Sequence, residues 1–272
     1  MKTFVINLIQ SEDRKLFMEK QLKRLALDYE FFPAVDGRRL TEQQMTEMCN
    51  MEVIKQWADL LTPGMIGCSL SHYNVYQRMI RDEINYAFIL EDDTLLSDEV
   101  PLIIERVEEK MKNKELDVDQ PILLYYQSKE VVKFGNKDSI ALSNETAVYF
   151  PVDIWRPITT AAYVISIECA KRLVDLIYPI RYSPDSWAVY YRENAIGGIR
   201  CVLPLPVKSG IFKSDIGYSL NKPLNRIVKY LERKNVFPVV QLLKRRRRKL
   251  AKRQNRFEIG NYNLNWVSKK LT

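Results

Sequence analysis

A single histidine and four cysteines in 272 residues leave this chain short of the side chains that build a zinc site. Cys49, Cys68, Cys169 and Cys201 lie far apart, and none forms a C-x-x-C pair. The spacing argues against a zinc ribbon or a thiol-disulfide motif and predicts free thiols in a reducing compartment. Long apolar runs are also missing: nothing approaches the roughly 20 residues of a membrane span. The opening Met1-Lys-Thr-Phe-Val-Ile-Asn-Leu8 turns polar too soon for the apolar region of a secretion signal. Hydrophobic residues make up 46% of the chain, ample for a core and against general disorder. The length suits one α/β domain with an appendage.

Negative charge is scarce at one end only. Residues 222–272 hold 16 Lys and Arg against Glu232 and Glu258, a net +14, so the other 221 residues carry 26 − 32 = −6. An acidic body joined to a basic extension predicts two parts with different partners, divided as 1–221 and 222–272.

The most informative stretch is Tyr86-Ala-Phe-Ile-Leu-Glu-Asp-Asp93, in which an apolar run ends in three consecutive carboxylates. This reads as a buried strand entering an acidic loop. Adjacent acids repel one another beside a sheet, and a cation is needed to compensate them. Mg²⁺ or Mn²⁺ prefers oxygen ligands and keeps open positions for phosphates. A solvated turn that opens the helix after Ser97 is the alternative.

Lys2–Leu8 reads as a first strand, residues 13–27 as a helix with Ser11 as its N-cap, and Tyr29–Val35 as a second strand ending at Asp36-Gly37. Such a βαβ unit favours a parallel sheet with ligands at the carboxyl ends of its strands. Asn7, Arg14 and Asp36 fall at those ends, where capping and turn formation compete with ligand contact. Residues 41–61 read as a polar helical region. Gly64-Met-Ile-Gly-Cys-Ser-Leu-Ser-His72 reads as a glycine-bearing approach to a helix over 73–80, with Ser69 or Ser71 capping it and His72 near its start. Later come a helix over 98–113, a strand over 121–127, a polar hairpin-like region to Phe150 whose composition suggests a surface excursion, and a buried strand ending at Ile165. A helix over 168–177 and the turn Ser183-Pro-Asp-Ser-Trp187 follow. Arg200–Lys208 closes the series as a last strand whose proline pair suits an edge.

The series resembles glycosyltransferase family 25, of the lipooligosaccharide type. The matching motifs are Phe4-Val-Ile-Asn-Leu8 with Asp13-Arg14, Ala34-Val-Asp-Gly37, Leu61-Thr62 with Gly64, and Gly67-Cys-Ser-Leu-Ser-His72. Further on stand Ile89-Leu-Glu-Asp-Asp93, Thr160-Ala-Ala-Tyr-Val-Ile165, and Pro184-Asp185 with Trp187. The family pattern carries Glu where Met65 stands and Arg where Lys15 stands.

The resemblance implies a GT-A-like α/β fold, a mostly parallel Rossmann-type sheet with flanking helices, followed here by a basic helical extension. It implies an inverting transfer, with galactose from UDP-galactose as donor sugar and a lipid-linked lipooligosaccharide or similar surface glycan as acceptor. Asp93 would bind Mn²⁺ or Mg²⁺ directly. Asp92 and Glu91 would reach the ion through water or hold the ribose of the UDP-sugar, with Asn7, Arg14 and Asp36 also on the donor. By position, Lys213 and Asp215 would add a diphosphate and a metal ligand, and His72 competes for the latter. Asp185 would be the general base, and Trp187 and Tyr163 would form the acceptor wall; a proline-fixed turn with a packed Trp is the alternative for the first two.

The extension contains Lys244-Arg-Arg-Arg-Arg-Lys249 beside the apolar clusters Leu224–Leu231 and Val236–Leu243, divided at Pro238. Short interfacial helices on an anionic membrane fit this pattern, with the protein peripheral on the cytoplasmic face. An arm that packs on the body or pairs two subunits is the alternative. A nucleic-acid-binding module is a further reading that the acidic body opposes, and a glycosyltransferase-like protein without catalysis is opposed by intact Asp92, Asp93 and Asp185. Deleting residues 222–272 is expected to release the protein from anionic vesicles and preserve turnover on a soluble acceptor. Failure of the intact chain to bind such vesicles at low salt contradicts the membrane reading.

Overall fold

The computed structural model describes residues 1–56, 61–212, 234, 238, 241–242, 245, 255–264 and 266. Lys213, Asp215 and most of the basic extension lie outside the described residues. Strand β1 (Lys2–Asn7) leads through helix α1 (Glu12–Arg24) to strand β2 (Tyr29–Pro33), which pairs parallel to it. On the helix, Met18 and Leu22 are fully buried while Leu16 faces solvent. Ser11 occupies the N-cap without a side-chain cap; its carbonyl instead accepts from Asn7 Nδ2.

A 3₁₀ turn at Gly37–Arg39 and helices α2 (Glu42–Met48) and α3 (Met51–Gln56) precede helix α4 (Pro63–Arg81). Here the expected boundary is corrected. The stretch from Gly64 to His72 is helix rather than approach loop, because Thr62 Oγ1 accepts from Met65 N and Pro63 stands at the first helical position. Gly67 serves packing, not turning. A Cβ there would lie 2.4 Å from the carbonyl oxygen of Val35, and one on Gly37 would lie 1.7 Å from that of Pro63, so both glycines let α4 press on the turn after β2. Ser71 Oγ, facing the same turn, accepts from Val35 N.

Strand β3 (Tyr86–Glu91) lies beside β1 in parallel, and the short strand β4 (Thr94–Leu96) follows it. Helix α5 (Val100–Lys112) comes next, then β5 (Ile122–Leu123), β6 (Val132–Ala141), β7 (Ala147–Pro151) and β8 (Ala162–Ser166). Helices α6 (Ile167–Ile177) and α7 (Trp187–Arg192), strands β9 (Arg200–Leu203) and β10 (Val207–Ser209), and strand β11 (Phe257–Gly260) complete the series. The main sheet runs β11-β6-β7-β9-β5-β8-β3-β1-β2. Only β7 and β8 point against the other strands, so the mixed α/β fold has the mostly parallel sheet that was expected.

Three expectations change. The hairpin-like region ending at Phe150 is an antiparallel hairpin, β6 and β7, but its strands belong to the main sheet instead of forming a surface excursion, and Phe134 and Val148 are fully buried. β9 is interior, between β7 and β5, because Pro204 and Pro206 fall after it and leave its ladder intact. The division at residue 222 also fails at its far end, where β11 pairs parallel to β6 and Trp266 Nε1 donates to Pro151 O. Apolar side chains fill both faces of the sheet in two clusters, one under α4 and α6 and one under α1 and α5.

Candidate active site

The carboxyl ends of β1, β2 and β3 open on a cleft lined by Leu8, Arg14, Asp36, Arg38, Cys68, Glu91, Asp92 and Asp93, among others. The sheet forces this convergence. Parallel strands end together, so residues far apart in sequence arrive at one edge. Asn7, buried at the end of β1, donates from Nδ2 to Asp92 Oδ2 at 2.7 Å, and Arg14 Nη1 donates to Asp92 Oδ1 at 2.8 Å. Both oxygens of Asp92 are therefore tied to the first βαβ unit. Burial still raises its carboxyl above the ordinary value, with the Arg14 and Asn7 bonds opposing and the Glu91 charge adding to the rise.

Glu91 is fixed from the other side. Its Oε1 accepts from Thr160 Oγ1 at 2.8 Å and lies 3.8 Å from His72 Nε2. Burial works to raise Glu91, but His72, Thr160 and Arg14 outweigh it and leave the carboxyl below its usual value. His72 is fully enclosed. Its Nδ1 shares a hydrogen bond with Tyr163 Oη at 2.8 Å, which bonds Tyr76 Oη at 2.7 Å, while Nε2 has no hydrogen-bond partner among the described residues. The imidazole is thus locked with one edge toward Glu91.

Asp93 is the least compensated of the three acids. Burial, then the charges of Glu91 and Asp92, push its carboxyl up to about 6, and Ser209 Oγ, which donates to Oδ1 at 3.1 Å, offsets only part of this. Ser209 arrives through the antiparallel β4–β10 pair.

This donor set fits a hard divalent ion. Glu91, Asp92 and Asp93 all line the cleft; Arg14 bonds Asp92, and Asp93 is bonded to Ser209 Oγ through Oδ1. Asp93 would hold Mg²⁺ or Mn²⁺ with water and phosphate filling other positions. Cys68, His72 and Glu91 form a close group of potential ligand atoms, within 4.8 Å of one another. Burial, with the Glu91 and Asp185 charges adding, raises the Cys68 thiol, which a bound metal would deprotonate.

Asp185 is part of the same electrostatic cluster. Burial raises its carboxyl, a hydrogen bond with Ser183 opposes, the Glu91 charge raises it further and His72 lowers it. What brings it there is Trp187, whose Nε1 donates to Thr159 O at 3.0 Å, next to the threonine that holds Glu91. This corrects the acceptor-wall assignment. Trp187 is 1% exposed and Tyr163 0%, so neither offers a face to a ligand; both are core residues that position Asp185 and His72. Asp36 accepts from Arg38 Nε, Nη2 and N and from Gln10 Nε2. Those bonds hold its carboxyl below the usual range against burial and fix the 3₁₀ turn at the cleft's rim.

Sequence reading missed Thr160, Ser209, Cys68, Gln10 and Arg38. Cys68 carried a signal, since it stands four residues before His72 on one helix face. Thr160 stood at the head of the motif over residues 160–165 without a role of its own, and Ser209 carried no signal, because strand pairing alone brings it to Asp93.

A mostly parallel α/β sheet with an acid cluster at its carboxyl edge is a place where phosphate-bearing ligands and hard cations can bind. The family described as Glycosyltransferase family 25 (LPS biosynthesis protein) matches residues 1–188, and the chain belongs to that family. It is 28% identical over 234 residues to a "Glycosyltransferase 25 family member" of Anopheles gambiae, covering 79% of this chain and 38% of the relative. It is 27% identical over 203 residues to "Procollagen galactosyltransferase 2" of Homo sapiens, covering 69% of this chain and 31% of the relative. To "Procollagen galactosyltransferase 1-B" of Xenopus laevis it is 24% identical over 235 residues, covering 80% of this chain and 37% of the relative. The chain thus spans well under half the length of these curated relatives.

Proposed function

We propose that this protein is an inverting, divalent-metal-dependent glycosyltransferase that moves galactose from UDP-galactose to a saccharide acceptor of the lipooligosaccharide kind. The observation that carries this reading is the Glu91-Asp92-Asp93 cluster at the carboxyl end of β3, with Asp93 raised to about 6 by burial and then by the Glu91 and Asp92 charges. Galactose is supported by the relatives named procollagen galactosyltransferase, and the glycan acceptor by the family's description as an LPS biosynthesis protein.

In this mechanism Asp93 would hold the ion. Asn7 and Arg14 keep Asp92 in place beside it, and Thr160 and His72 orient Glu91 toward the donor. The metal, when bound, neutralises the departing diphosphate. Asp185 takes the acceptor hydroxyl's proton as that oxygen bonds to the sugar's anomeric carbon, and the carbon-oxygen bond to phosphate breaks with its electron pair leaving on the diphosphate. Attack opposite the leaving group inverts the anomeric centre. A carboxylate raised by burial is suited to this proton transfer, since its pKa lies nearer the working pH.

A screen of nucleotide sugars tests the reading, with hydrolysis measured in Mn²⁺ and in EDTA. UDP-galactose is expected to be turned over fastest, and only with the metal. Turnover of none of the nucleotide sugars, or equal turnover in EDTA, contradicts the proposal. In the transfer arm, a lipooligosaccharide core saccharide is set against a procollagen-type peptide, and the saccharide is expected to be the acceptor.

A further inference from the structure

One exposed tryptophan lies beyond the cleft, at the same edge of the sheet. Trp155 is 57% exposed and Ile158 44%, and together with Gln127, Ser128, Lys129, Glu130 and Arg156 they line an open groove. Trp187 and Trp266, by contrast, are spent on packing, each with its indole N–H on a backbone carbonyl.

The topology ties this groove to the acids. β5 points the same way as β3, so the chain leaving β5 and the chain entering β8 both lie at the edge where Glu91 stands. These two segments are clamped together: Gln127 N donates to Ile158 O at 2.8 Å and Ile158 N to Gln127 O at 3.2 Å. Two residues further on, Thr160 bonds Glu91, and Glu91 N donates to Ala161 O at 2.9 Å. Five residues from Trp155 to Thr160 span at most ~17 Å of chain. The groove therefore lies at the same carboxyl edge of the sheet as the acids, joined to Glu91 by residues 158–160.

Its chemistry selects an uncharged ligand. Arg156 is paired with Glu130 at 2.5 Å and with Asp153 at 3.0 Å, and Lys129 is adjacent. Lys129 and Arg156 balance Glu130 and Asp153, so the groove offers donors and acceptors without net charge. Asp153 Oδ1 also accepts from Trp155 N at 3.0 Å, which fixes the indole's base in a turn. A rigid exposed indole beside paired polar groups matches a polyhydroxylated ring, whose apolar face packs on the aromatic plane while its hydroxyls meet carboxylate, amide and guanidinium.

We propose that the Trp155 groove is the subsite for a neutral sugar of the acceptor glycan, with Trp155 as its stacking platform. The inference rests on the glycosyltransferase reading above and extends it to the acceptor. Trp155→Ala in the full chain is expected to raise the acceptor KM at least about tenfold, with UDP-galactose hydrolysis in the absence of acceptor and the Tm unchanged. Trp155→Phe should recover most of the loss, which a merely structural role would not require. A turnover-independent arm titrates lactose, maltotriose and N-acetylchitotriose into the protein and follows tryptophan fluorescence. At least one is expected to shift the emission of the wild type and not of Trp155→Ala, and sialyllactose is expected to bind more weakly than lactose. An unchanged acceptor KM in Trp155→Ala, or no saccharide response that depends on Trp155, overturns the subsite. Absence of nucleotide-sugar turnover in the wild type, with the Trp155-dependent saccharide response intact, instead overturns the glycosyltransferase reading and leaves a saccharide-binding groove.

Discussion

Replacing Asp93 with alanine is expected to lower transfer by roughly a thousandfold, the scale of removing a central electrostatic stabiliser, while the protein stays folded. The reasoning starts from position. Asp93 sits on the turn between β3 and β4, bonded to Ser209, and contributes nothing to the apolar clusters on either face of the sheet. Stability should even rise when no metal is present. Its carboxyl titrates near 6 in the folded protein and near 4 when unfolded, so between those values the folded state binds more protons and loses stability as pH rises. That destabilisation is complete above about 6 and absent below about 4, by the same linkage. Asp93→Ala should therefore unfold at a higher temperature than the wild type in EDTA at neutral pH, with the gain gone in acid. An inactive variant that melts far below the wild type would show a structural role; an active one would remove Asp93 from the mechanism. Asp92→Ala should also be severe, but by another route, because it leaves Asn7 and Arg14 without the carboxylate that binds them.

Asp185→Asn is expected to slow transfer by at least ~100-fold, the usual scale for loss of a general base, with donor KM nearly unchanged. The amide keeps the size of the side chain and the anchoring of its segment by Trp187, and it removes only the capacity to take a proton. Because burial and the Glu91 charge raise this carboxyl, the wild-type rate should fall on the acid side of the profile, and the variant should lack that limb. Retained turnover would shift the base to another acid; a collapsed donor affinity would place Asp185 on the donor instead.

Much of this was written locally. The first βαβ unit and β3 were legible because parallel strands buried on both faces read as apolar runs cut off by polar loops, and the acid triplet announced itself by mutual repulsion. The start of α4 was misread for a definable reason. Gly64 and Gly67 look like helix breakers, yet Thr62-Pro63 had already opened the helix, and Gly67 is there so that its backbone can meet Gly37. β6 was hidden by Lys133, Asn136, Lys137 and Asp138, all exposed, whose polar run masks the buried Val132 and Phe134 at the strand's start and spans the register shift between Gly135 and Ile140. Trp187 and Tyr163 were read as an exposed acceptor wall but are buried, since residue type cannot distinguish an aromatic that touches a ligand from one that anchors its neighbour. Ser209 was illegible because only the β4–β10 pairing brings it to Asp93.

The central claim, that the acids at the end of β3 hold a divalent ion against a nucleotide diphosphate, is tested most directly by calorimetric titration of UDP into the wild-type protein with Mn²⁺ and again with EDTA. The account predicts binding that weakens at least about tenfold without metal, a loss of one phosphate-bridging interaction. It also predicts that the metal's contribution fades as pH falls through about 6, where Asp93 takes up the proton that competes with the ion. Equal UDP affinity with Mn²⁺ and with EDTA over that pH range would contradict it.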